Sequence, residues 1–231
     1  MTQANAAADT QQDIFPPKEL EPGLPKRRIP VTGISTEEYN LVCRLKRERV
    51  ARPTKRILAD DPLVMSVGLT CGDGTRLPHA MKFHRDGVGE PFYPLTIVGG
   101  GPGFHPDSPF NDGSVFPLEH YLEQIRRAAK AMNTKKLGVF AHAPCGGAKA
   151  FQVSMPQQIE LNFMTLVLLE RHLEEDGFEL CSYLHIVHGE PNFYGERRFD
   201  ETFDLHLTTW LEKRSGYPEV GELKVQLPQI L

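Results

Sequence analysis

A single tryptophan and four cysteines stand in these 231 residues, and no apolar run reaches the roughly 18 to 20 residues that a helix needs to cross a bilayer. The cysteines, Cys43, Cys71, Cys145 and Cys181, are spread along the chain. In a mid-sized sequence without an export signal that spacing argues against a disulfide framework and for free thiols in the core or at a site. The opening, "MTQANAAADTQQDIFPPKELEPGLP", has neither a basic n-region nor an apolar h-region, so a soluble, unexported, cytoplasmic protein with no membrane partner is expected. Positive charge is also short: 26 Lys and Arg against 30 Asp and Glu leave a net −4. The basic stretches are "PKRR" at 25–28 and Arg44 to Arg56, the second read as a solvated helix face. Phosphate recognition needs a concentrated positive surface, so no nucleic-acid partner is expected. No internal repeat is found.

What is present suits one core: 40% of the residues are hydrophobic and 24% charged. Residues 1–34, rich in Ala, Gln, Pro and Glu, read as an extended or partly disordered arm, and 35–231 as a single α/β domain. Ser35 and Glu38 have capping-box spacing, and Tyr39, Val42, Cys43 and Leu45 recur at helical intervals, which predicts a first helix over 36–51. "PLVMSVGLTCGDGTR" and "YPLTIVGGGPGF" both read as buried strands breaking into glycine turns. Leu118, Leu122, Ile125, Ala129 and Met132 then share a helical face behind Pro117, and "KKLGVFAHAP" returns as a third strand. Strand, helix and strand in that order imply a mostly parallel central sheet flanked by helices. A long helix stopped at Gly177 and a fourth strand, "FELCSYLHIVHG", follow. Phe203, Leu207, Trp210 and Leu211 are read as a last helix, and Leu223, Val225 and Leu227 as an alternating edge strand.

In such a sheet, functional groups gather beyond the carboxyl ends of the strands, where loops and helix N-termini converge. One strand ends at Cys71, Gly72 and Asp73, and another at His142 and Cys145. Two thiolates and an imidazole are a suitable ligand set for zinc with an open fourth position, and Gly72, Gly146 and Gly147 permit sharp turns beside an ion. "GGGPGF" fits a phosphate loop poorly, because the third glycine of a dinucleotide fingerprint is replaced by Phe104 and no Gly-Lys-Ser/Thr follows. A Cys145 nucleophile paired with His142 is the other chemistry at that spacing. His185 and His188 suggest a second metal pair, but residues three apart on a strand face opposite sides.

The order "CGDGTR", a small-residue loop "GGGPG", a helix, then "HAPCGG" resembles the β-class carbonic anhydrases, over about Leu63 to Ala150. That resemblance implies a β-carbonic-anhydrase-like fold with one zinc per chain on Cys71, His142 and Cys145, with Asp73 as the carboxylate beside the metal and Arg76 as its partner. Arg76 stands three residues after Asp73, where the family pattern has two, and glycines 99 to 101 replace an Asn-Ala-Gly loop, so the likeness is to a divergent member. The implied activity is reversible hydration of carbon dioxide to bicarbonate by zinc-bound hydroxide, in a homodimer or higher homo-oligomer. The rivals are a zinc hydrolase of carbonyl sulfide or carbon disulfide and an inactive, zinc-stabilised homologue. His105 and His188 are proton-carrier candidates, and Phe104 and Val98 candidates for an apolar wall.

Overall fold

The chain's elements follow from where its apolar periodicity changes. The structure is a computed structural model that describes residues 34–54, 66–73, 77–88, 91–111, 116–191 and 197–223. The arm expected at 1–34 lies outside them but for its last residue, as do Arg76 and the Val225 and Leu227 of the expected edge strand. In chain order the helices are α1 (Thr36–Arg47), α2 (Leu77–Phe83), the short α3 (Gly101–Phe104), α4 (Leu118–Ala131), the short α5 (Gly146–Ala150), α6 (Met155–Leu173) and α7 (Leu207–Lys213). The strands are β1 (Ala51–Pro53), β2 (Ser66–Cys71), β3 (Phe92–Ile97), β4 (Lys136–Ala143), β5 (Glu179–Pro191) and β6 (Arg197–Leu205).

Helix α1 starts as its sequence predicts: the Glu38 N–H donates to the Ser35 hydroxyl, and the Ser35 N–H donates to the Glu38 carboxylate. It stops at Arg47 rather than at 51, because Arg49 takes a positive φ of 62° and the chain leaves to pair as β1 on β6. Helix α6 has the same reciprocal cap from Ser154 and Gln157. The described strands form one six-stranded sheet in the order β1-β6-β5-β4-β2-β3. Pairs β3–β2, β2–β4 and β4–β5 are parallel; β5–β6 and β6–β1 are antiparallel. A mostly parallel α/β sheet is what the alternation of strand and helix patterns predicts.

The C-terminal third departs from the sequence reading. Phe203 belongs to β6, not to the last helix, which begins only at Leu207. Phe203 and Leu207 are four apart, so they satisfy a helical interval, but Phe203 and Leu205 alternate and are both buried, as a strand requires. Leu223 closes a 3₁₀ turn over Pro218–Glu222.

Alternation divides the sheet. Val67, Leu69 and Val139 face one side, where they join the core under α4 and α6 with Leu122, Ile125 and Leu169. Gly68 and Gly138, paired across β2 and β4, face the other. A Cβ on Gly68 would lie 2.2 Å from the Phe92 ring, and one on Gly138 would lie 2.7 Å from that of Phe140. The missing side chains make room for Phe92, Phe140 and Tyr183 to stack, with ring centroids 4.8 and 4.7 Å apart. His84, in the π-helical turn after α2, sets its ring edge-on to all three at 5.2–5.5 Å.

Candidate metal centre

Phe140 links the stacked layer to the site. Two residues further along β4, on the same face as Phe140, stands His142; Cys71 is the last residue of β2, and Cys145 lies just beyond the end of β4. Parallel strands deliver both ends to one edge of the sheet, and the ligand atoms of Cys71, His142 and Cys145 lie within 4.8 Å of one another, all three buried. Among the described residues this is the one cluster of three or more such side chains that can hold a metal ion.

The donor set fits that role. Both ring nitrogens of His142 are buried without a hydrogen-bond partner. In the neutral ring one of these nitrogens is an N–H donor and the other a lone-pair acceptor; a buried acceptor left unsatisfied calls for an explanation, and an ion bound at that nitrogen supplies it. Cys145 caps the N-terminus of α5, its sulfur accepting from the Ala148 N–H at 3.5 Å. A hydrogen bond from the Cys145 thiol, reinforced by neighbouring His142 and the Asp73 backbone N–H against the effect of burial, holds the Cys71 thiol below the usual cysteine range. The same bond to Cys71, together with burial, pushes Cys145 up. A cation held by both sulfurs would take them as thiolates, with release of their protons.

The glycine turn is packed into the protein. Gly100 has φ +65° and ψ −135°, and a Cβ there would lie 2.6 Å from the Phe140 carbonyl oxygen and 2.8 Å from the Cys71 nitrogen. Gly101 to Phe104 are all buried, and the Gly101 carbonyl accepts from the Thr165 hydroxyl of α6 at 2.7 Å. The turn therefore braces the ends of β2 and β4, which removes the phosphate-loop reading: no anion approaches a backbone already filled by neighbours.

Beside Cys71 and His142 lies a small pocket whose other walls include Leu77, Ala80, Phe140 and His185. It is small and lined mainly by apolar groups, on the scale of a single water-sized ligand. Phe104 and Val98 are not its apolar wall. Phe104 is fully buried against Phe116 and Tyr121 in the core under α4, and Val98 is 58% exposed.

Asp73 is half-buried directly after the end of β2, with its carbonyl accepting from the Leu77 N–H at 2.9 Å, and its carboxylate is not part of the three-residue cluster. Arg76, its expected partner, lies outside the described residues. His105 is half-buried after α3; its Nδ1 accepts from the Asp107 N–H at 3.3 Å, and burial lowers its pKa. His188 is on β5, its side chain outside the described residues. Sequence reasoning missed Leu77, Ala80 and Phe140 as pocket walls, and saw in His185 only half of a second metal pair. The one signal available was the two-residue spacing of Phe140 and His142, which share a face of β4. None of the four cysteines is in a disulfide. No protein-family model, curated protein or solved structure matches this chain.

Proposed function

We propose that the protein is a zinc-dependent hydratase of carbon dioxide, resembling the β-class carbonic anhydrases, and that it adds water to carbon dioxide to release bicarbonate and a proton. The observation that carries this reading is the buried Cys71, His142 and Cys145 cluster at adjoining parallel strand ends, beside a small, mainly apolar pocket. Two thiolates and an imidazole suit zinc and leave one coordination position open. When bound there, zinc supplies the Lewis acidity that brings the ionisation of a water toward neutral pH.

The chain's own residues do the rest. The α5 N–H groups that reach Cys145 favour its thiolate and fix its sulfur, so the ligand is aimed before an ion arrives. Leu77, Ala80 and Phe140 exclude bulk water and favour a neutral, linear substrate over a hydrated anion. Asp73 is assigned the acceptor role: its carboxylate takes the hydrogen bond of the attacking water, which turns a lone pair toward carbon. Arg76 is assigned to keep that carboxylate ionised through a charge-assisted pair.

The test measures bound zinc and turnover together. Wild-type protein is expected to carry about one zinc per chain and to accelerate carbon dioxide hydration. Cys71→Ser and Cys145→Ser should each lose most of the metal, and Asp73→Asn should keep it while losing about 10²-fold or more in kcat, the scale of a positioned acid or base. Unchanged zinc in either cysteine variant overturns the site. A metal-loaded wild type that hydrolyses carbonyl sulfide but not carbon dioxide would move the substrate and leave the centre intact.

A further inference from the structure

His185 is the pocket residue that neither the metal cluster nor the assigned acid–base pair uses. It is paired in register with His142 across β4 and β5, so the two imidazoles stand side by side on one face of the sheet. It is 1% exposed, lines the same pocket as Cys71 and His142, and faces walls that include Leu77, Ala80, Phe140 and Ala141. A polar side chain placed in a small, mainly apolar pocket next to a metal cluster is the arrangement that fixes the orientation of a ligand.

The ring is held from behind. Its Nδ1 lies 3.0 Å from the Thr202 hydroxyl of β6, which is its register partner on that strand. With Thr202 donating its O–H to Nδ1, the ring proton sits on Nε2, the nitrogen on the opposite side of the imidazole from Nδ1. We infer that His185 is the substrate- and product-orienting residue of this pocket, its Nε2–H donating a hydrogen bond to an oxygen of carbon dioxide or bicarbonate while the carbon is presented to the metal side. The inference rests on the hydratase reading above. It also gives the β5–β6 hairpin a role in the site: Thr202 sets the tautomer, and β6 thereby sets which proton the pocket sees.

A competing structural role would be a cross-strand stitch between His185 and Thr202 alone, and side-chain geometry separates the two. The amide nitrogen of glutamine reaches about where the Nε2 of histidine lies, whereas that of asparagine reaches only about as far as Nδ1. The experiment uses the full chain loaded with cobalt(II) and titrated with bicarbonate, reading the visible absorption of the metal. Metal content and melting temperature are checked for each variant.

His185→Leu and His185→Asn are expected to weaken bicarbonate about tenfold at unchanged cobalt content, the cost of one lost hydrogen bond to an anion. His185→Gln should stay within about threefold of wild type. In hydration assays the same pattern should fall on KM for carbon dioxide more than on kcat. Asparagine rescuing where glutamine fails, or leucine binding within twofold of wild type, overturns the inference. Failure of the hydratase reading itself looks different: the wild type would hold cobalt and yet neither bind bicarbonate nor hydrate carbon dioxide, and the inference would fall with it.

Discussion

Gly100 and Gly146 flank the candidate metal cluster, and an added methyl should have opposite effects at the two positions. At Gly100 the backbone holds φ +65° and ψ −135°, a region that side-chain-bearing residues adopt at a cost of about 1 to 3 kcal/mol. The new Cβ would also stand 2.6 Å from the Phe140 carbonyl oxygen and 2.8 Å from the Cys71 nitrogen. Both are backbone atoms of sheet strands and cannot rotate away, so overpacking adds about 1 to 3 kcal/mol more. Gly100→Ala is therefore expected to lose about 2 to 6 kcal/mol, a melting temperature lower by roughly 5 to 20 °C for a chain of this size. At Gly146, in the first turn of α5, nothing lies within 4 Å of an added Cβ, and the position is exposed. Gly146→Ala should be neutral or stabilising by up to about 1 kcal/mol, since alanine loses less backbone entropy in a helix. The measurement is thermal and guanidinium unfolding of both variants in chelator, followed by metal competition. Because Gly100 bears on the Cys71 backbone, its variant should also weaken metal binding about 10- to 100-fold, the range seen when the support of a ligand is disturbed. A Gly100→Ala protein that melts within 1 kcal/mol of wild type, with metal affinity unchanged, would refute the argument that this turn braces the strand ends.

Two further predictions concern buried polar groups away from the candidate metal site. Glu160 is fully buried on α6, where its carboxylate accepts from the Trp210 indole N–H and, at 2.8 Å, from the Arg214 guanidinium. Glu160→Ala removes the buried acceptor of the Trp210 indole and a carboxylate partner of the mostly buried Arg214, and should cost about 3 to 5 kcal/mol in urea unfolding; a loss under 1 kcal/mol would show that the pair does not hold α7 to α6. His84 has its pKa lowered to about 4 by burial among Phe92, Phe140 and Tyr183. The unfolded chain binds that proton near 6.5, so the folded state loses stability as pH falls from about 6.5 toward 4, by up to about 3 kcal/mol. Unfolding curves of His84→Phe across that window should be correspondingly flatter than wild type, and an unaltered pH dependence would mean that His84 is not the group responsible.

Much of the fold and of the candidate site follows from local order in the chain. The Ser35 and Glu38 cap, the α4 face of Leu122, Ile125 and Ala129, and the buried runs of β2 and β4 are periodic patterns that physics reads over a few residues. Cys71 and the His142 and Cys145 pair stand at the ends of such runs, and parallel pairing alone brings those ends together. Short segments with few apolar residues were not legible in this way. β1 is three residues long, and Phe203 fits both a helix interval with Leu207 and a strand interval with Leu205, so only pairing with β5 and β1 decides. The packed glycine turn reads like a flexible loop in sequence, because nothing in "GGGPG" announces that Asn162, Val139 and the Cys71 backbone occupy the space around it.

Residue order, then, determined the longer elements, the direction of the central strands and the three candidate ligands, since each depends on neighbours within one strand or helix. The pocket beside those ligands depends on register between strands distant in sequence. The pairing of Gly68 with Gly138 opens space for the aromatic stack, that of His142 with His185 places a second imidazole beside the metal cluster, and that of His185 with Thr202 orients it. Register is set by the summed packing of both faces of the sheet, an energy that no single segment of the chain contains.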